Sequence, residues 1–365
     1  MSEGRTDGTW RRLLIAAAAA LLTILAGDAL VRAYVPTSVL GLREATDGLY
    51  DLWRKNPDIL VLGSSHARTF HALGKSVERR SHGATQVVSI PLELGRMVPY
   101  EWLLEHRIGP MVDEKLPDGQ KKRDRLKHFI LLTEWWDTCP PDGYYGNLPS
   151  RAWAVKDFVA DVETHGFTGY NRNYMQRRWQ RFWGASAFSR IRKSDDYAVA
   201  VRRILGGDID DVEARTHTWQ QMIEDAVHCL GDPGQMQALE QIVGFAQARG
   251  LDTTIILFPR KPSTWSPQAR RTTMVAMHRL MSDFAAAHGV RLIDMTLTTP
   301  LEDGDFMADF DHVNAAGNRK FIDWALAGDL RWMLDAGKPA ASPATGAPAA
   351  PAGDAADDDA DGGGP

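Results

Sequence analysis

Short apolar runs stopped by glycine, proline or polar residues alternate along this chain with longer stretches whose apolar positions recur every three or four residues. Asp58 to Leu62 (DILVL) follows Pro57 and ends at Gly63; Gln86 to Ile90 (QVVSI), His128 to Thr133 (HFILLT), Thr253 to Phe258 (TTIILF) and Arg291 to Asp294 (RLID) are runs of the same kind. Such leucine-rich and β-branched runs predict strands buried on both faces. Helical spacing predicts helices over Leu40 to Lys55 (with Leu42, Leu49 and Leu52 on one face), Tyr100 to His106, Gln235 to Arg249 and Pro267 to His288. The alternation of the two patterns predicts an α/β fold with a parallel sheet covered on both sides. The step from the third strand to the fourth is too long for one crossover, so residues 138–234 are expected to form a largely helical insertion, with a break at Gly206 to Asp208. No internal repeat is present.

The two ends follow other patterns. From about Pro339 the chain is rich in Ala, Pro and Gly and closes on DDDADGGGP, a composition unable to bury enough apolar surface to order itself. This tail contains Asp354, Asp357, Asp358, Asp359 and Asp361, which account for the formal charge of −5, so charge implies no nucleic-acid partner. At the other end Arg11 and Arg12 precede LLIAAAAALLTILAG. That run becomes long enough to span a bilayer if it extends to Val35, with Asp28 and Arg32 snorkelling. An uncleaved anchor is the preferred reading, and a signal peptide cleaved near Gly27-Asp28-Ala29 is its competitor; both place the rest of the chain outside the cytoplasm. The expected organisation is therefore a cytoplasmic N-terminus (1–12), an anchor (13–35), a domain in two parts (36–137 and 235–336) separated by the insertion (138–234), and the tail (337–365).

Two cysteines, Cys139 and Cys229, offer no zinc spacing. In an exported chain they either pair or stand as separate buried thiols.

Chemistry concentrates at two places. Gly63 is followed by Ser64, Ser65 and His66, where the first strand turns towards a helix, at the carboxyl edge of a sheet. Near the end stands DFMADFDHVNAAG, with Asp309 and His312 three residues apart just before a helix that Asn314 can cap. That spacing lets a carboxylate orient an imidazole and leave its second nitrogen free for a hydroxyl nucleophile. Each motif alone is commonplace, a helix cap or a solvated pair. Together, in the order serine, aspartate, histidine, they predict Ser65 as nucleophile, His312 as base and Asp309 as its orienting group. His66 is expected to pack or cap, and Asp311 is the reserve for Asp309.

GSSH after a first strand, with DxxH before a last helix, resembles the SGNH/GDSL hydrolases, in particular the membrane-anchored branch that includes alginate and other exopolysaccharide O-acetylation proteins and the D-alanyl-transfer protein of teichoic acid synthesis. The resemblance covers roughly residues 56–137 and 250–330, and the insertion has no counterpart in it. It implies a flavodoxin-like three-layer sandwich and a serine esterase or O-acyltransferase that needs no cofactor or metal. It further implies a glycan or polysaccharide acceptor, a membrane-bound O-acyltransferase as partner, and a single-pass location with the catalytic domain outside the cytoplasm. Ser65 falls on the nucleophile of the family's G-D-S block, with Ser64 where the aspartate usually stands. Gly95 is an approximate match to the glycine whose amide faces the oxyanion. The family's oxyanion-hole asparagine has no counterpart in TEWWD, where a Trp135 or Trp136 indole N–H is the substitute donor and core packing is the equal alternative. That departure keeps open a non-catalytic assembly or carbohydrate-binding role on the same fold.

Arg260 and Lys261, after the fourth strand, are candidates for holding an anionic substrate group, with solvated loop cations as the commoner alternative. In the insertion, Met175, Trp179, Phe182 and Trp183 make an apolar helical face beside Arg177, Arg178 and Arg181. This predicts a helix packed on the core, a lid, a membrane contact, or a dock for an acidic glycan or an acyltransferase.

Overall fold

Alternate residues of the strands enter two different cores, and that alternation builds the layers. The structure, a computed structural model, describes residues 14–23, 26, 42–92, 95–117, 119–140, 158–160, 162–163, 166, 212–307 and 312–338. Strands β1 (Ile59–Gly63), β2 (Val87–Pro91), β3 (His128–Thr133), β4 (Asp252–Leu257) and β5 (Arg291–Asp294) form one sheet in the order β2-β1-β3-β4-β5, every neighbouring pair parallel. All five match the expected runs to within one residue at either end.

Leu60, Leu62, Phe129, Leu131, Ile255 and Leu257 point to one side. There they meet helices α1 (Leu42–Arg54), α3 (Met97–Leu103), α5 (Pro233–Gln247) and α6 (Thr273–His288). Ile59, Val61, Ile130, Leu132 and Ile256 point to the other, against α2 (Ala67–Arg80) and α7 (Ala315–Ala327). The result is an α/β arrangement with helices on both faces of a parallel sheet, as the unalternating apolar runs require.

Two helices differ from expectation. The one expected from Tyr100 starts at Met97, because Pro99 is tolerated in a first turn, and continues as a π-turn through Leu104–Ile108. The single helix expected over Pro267 to His288 is broken at Thr272, which separates a short segment, Pro267–Arg271, from α6. Apolar spacing runs unchanged across such a break, so periodicity does not report it.

The insertion enters the description through α4 (Val212–Asp225) and its flanks. A third apolar cluster forms where Trp219, Ile223 and Ala226 meet Trp135, Trp265 and Ala269. A disulfide between Cys139 and Cys229 resolves the open question of the cysteines and ties the end of the β3 turn to the end of α4. The aromatic and basic segment 170–193 and most of the expected anchor lie outside the described residues. Residues 14–23 are helical, with Leu14, Ile15, Leu21 and Leu22 exposed. Among the described residues no helix is long and apolar enough to cross a membrane.

The disulfide closes a loop across a sequence separation of 90, for which chain-entropy arguments give about 4 kcal/mol. Reducing it, or making Cys139→Ser, is expected to lower the unfolding free energy by about 2–5 kcal/mol in urea titrations. Equal midpoints with and without reductant would contradict this.

Candidate active site

Strand order reverses between β1 and β3, since the chain moves from β1 to β2 on one side and then crosses to β3 on the other. Beyond the carboxyl ends of such a pair a crevice opens, and it is where doubly wound sheets bind ligands. Gly63 ends β1 there, and a Cβ on it would lie 2.7 Å from Leu132 Cβ, so only glycine lets β1 run this close beside β3 up to the turn. Ser64 and Ser65 follow immediately. Their carbonyls accept from Ala67 N–H and Arg68 N–H at 3.0 and 3.1 Å and so wind the chain into α2.

His312 approaches from the far end of the chain. A β-bridge between Phe306 and Val313 and a 2.7 Å bond from Met307 N–H to His312 O draw the two sides of its loop together. Asn314 then caps α7, its side-chain oxygen accepting from Ala316 and Gly317 N–H, while its amide donates to Gly304 O at 2.7 Å. His312 Nε2 thereby stands 2.7 Å from Ser65 Oγ, between residues 247 apart in sequence. Ser65 is 4% exposed. A hydroxyl and an imidazole at hydrogen-bond distance, at a sheet's carboxyl edge, can act as nucleophile and general base. Asp309 and Asp311 lie outside the described residues.

No protein-family model matches the chain, and no curated protein does.

The other expected site residues stand around this pair as follows. Gly95 N–H donates to Leu92 O at 2.7 Å, so its amide is engaged inside its own turn. The absence of a side chain at Gly95 has a packing cause, because a Cβ there would overlap Tyr100 Cε1 and approach Leu92 O to 2.7 Å. Arg260 is not a surface cation: it is buried, and its Nη1 donates to Glu134 Oε2 at 3.0 Å. Lys261 is half-buried. Trp135 packs in the third apolar cluster, and its indole N–H has no hydrogen-bond partner among the described residues. Trp136 leans on the same cluster, 5.4 Å from Trp135 and 6.1 Å from Trp219 between ring centroids.

Sequence reasoning missed Glu134, the residue after β3. Its carboxylate is 2% exposed and binds Arg260 through one oxygen. The other oxygen accepts from Ser64 Oγ at 2.7 Å and pairs with His66 Nδ1. His66, expected to pack or cap, is fully buried, with its ring 5.3 Å from that of His312 at an interplanar angle of 18°. Behind Glu134, Asp137 accepts from the Glu134 backbone N–H at 2.9 Å. Burial first, and then the Glu134 carboxylate, push Asp137 well above the ordinary carboxylate range. The same causes, burial followed by Asp137 and Glu134, raise the Tyr100 phenol. One signal for this group was present in sequence: a Glu placed where a buried strand ends at the carboxyl edge.

Gly95→Ala is expected to destabilise the fold by about 1–3 kcal/mol through collision with the buried Tyr100 ring, read from urea unfolding. Unchanged stability would contradict this.

Proposed function

We propose that the chain is an SGNH-type serine acyl esterase or O-acyltransferase with a flavodoxin-like core, acting outside the cytoplasm on a cell-envelope or exported polysaccharide. The observation that carries this reading is the 2.7 Å contact between Ser65 Oγ and His312 Nε2. The strand order 2-1-3-4-5 fits such a core. The Cys139–Cys229 disulfide fits an oxidising compartment. The apolar side chains exposed on helix 14–23 fit a segment that belongs in lipid rather than against the domain.

In this reaction His312 takes the Ser65 hydroxyl proton as Oγ attacks the ester carbonyl carbon, and Asp309 orients the imidazole. Collapse of the tetrahedral intermediate breaks the bond to the leaving alcohol, which receives the proton from His312, and leaves an acyl-serine. An acceptor hydroxyl, from sugar or water, then gives its proton to His312 and attacks the acyl carbon, restoring Ser65. Developing negative charge on the carbonyl oxygen falls near the first turn of α2, where the Ser65 amide is the proposed donor. Tethering beside a membrane-bound acyl donor raises effective concentration, which favours transfer over hydrolysis. The engaged Gly95 amide is the observation that favours the competing reading, a non-catalytic glycan-binding component on this fold.

The domain is expected to hydrolyse small acetyl esters slowly, and an oligosaccharide acceptor is expected to divert the acyl group into an acyl-sugar, both lost in Ser65→Ala. Product analysis by mass spectrometry separates the outcomes. Fast hydrolysis with no acyl-sugar at high acceptor concentration makes the protein an esterase, and no turnover of any ester favours the binding component.

A further inference from the structure

We infer that Glu134 is the positioning residue of the Ser65–His312 pair, a role that rests on reading that pair as nucleophile and base. One carboxylate oxygen holds both sequence neighbours of the nucleophile. Ser64 Oγ donates to Oε1 at 2.7 Å, and His66 Nδ1 pairs with the same oxygen. A carboxylate only accepts, so the Ser64 hydroxyl hydrogen points to Glu134, and toward His66 Nδ1, 3.0 Å away, Ser64 Oγ is the acceptor. Ser64 Oγ in turn accepts from His66 N–H at 3.3 Å. The side chains on either side of Ser65 are therefore tied to a single group just after β3, and the direction of Ser65 Oγ is set from outside its own turn.

The base is reached by the same route. The His66 ring, fixed through Nδ1, stacks on His312 and walls one side of it, while Phe258 stands 4.9 Å from His66 on another. Glu134 is itself held. Its backbone N–H and side chain form a reciprocal cap with Asp137 over the turn Trp135–Thr138, and Oε2 is fixed by Arg260. The Arg260 guanidinium lies 4.6 Å from the ring centre of Trp219, 5.1 Å from Trp136 and 5.7 Å from Trp135. Trp219 belongs to α4, so packing of the insertion extends through Arg260 and Glu134 to the nucleophile. Stability alone is a poor reason for this construction, because a fully buried ion pair roughly breaks even against apolar replacements. Geometry at the crevice is what the group supplies.

Labelling of the full chain by a fluorophosphonate, followed across reagent concentration with thermal unfolding in parallel, tests the inference. Glu134→Gln is expected to slow labelling by roughly 10- to 100-fold. The loss is expected in the rate constant at saturating reagent and not in the reagent's binding constant, because Glu134 orients the reacting pair without touching the reagent. Should Glu134→Gln fail to fold, Ser64→Ala carries the test, since it leaves no charge unpaired. It is expected to slow labelling several-fold at an unchanged unfolding temperature. Folded variants that label at the native saturating rate overturn the inference alone. A native chain that is not labelled overturns the reading of Ser65 as nucleophile, and this role with it.

Discussion

A carboxylate shut away from water at the point where the strand order reverses constrains everything around it. A buried carboxylate needs a partner of opposite charge, and Arg260, just after β4, supplies it to Glu134. Arg260 in turn needs a surround that keeps solvent out, and the tryptophans of the β3 turn and of α4 provide aromatic faces for its guanidinium. The third apolar cluster and the disulfide at the base of the insertion thus belong to the same construction as the serine and histidine.

The buried charge lies at the carboxyl edge, the same edge as Ser65 and His312. The opposite edge is closed by ordinary structural pairing. Asp58 accepts from Gln86 N–H at 2.7 Å and from Arg125 at 2.8 and 3.1 Å, and the buried Arg123 ties the end of α1 to the segment before β3 through the Leu52, Trp53 and Met111 carbonyls. Those cations are spent on backbone and carboxylate groups of the fold. At the carboxyl edge, by contrast, the serine and imidazole meet each other directly, 2.7 Å apart.

The strands were legible because burial on both faces leaves an unmistakable apolar run, and the bounds of β3 and β5 coincide with the runs HFILLT and RLID. Ser65 and His312 were legible for a related reason: a polar group directly after a buried strand, or directly before a capped helix, has its location set by local structure. Arg260 shows where that reasoning ends. A cation after a strand looks the same in sequence whether it faces solvent or a carboxylate 126 residues away, because the pairing is fixed only by the sheet order. Glu134 was missed on the same ground, and Gly95 was given a binding role when its want of a side chain serves the Tyr100 ring. The cysteines were undecided in sequence because only the fold brings their α-carbons to 4.8 Å.

The proposed chemistry depends on Ser65 Oγ being the atom that accepts the acyl group. Incubating the chain with an arylacetate ester, quenching in acid and mapping the peptides by mass spectrometry reads this directly. An acetyl group on Ser65, absent after His312→Ala, is the predicted result. Acetylation confined to Ser64 or to surface lysines, or an unmodified Ser65 peptide under conditions where ester is consumed, would contradict it.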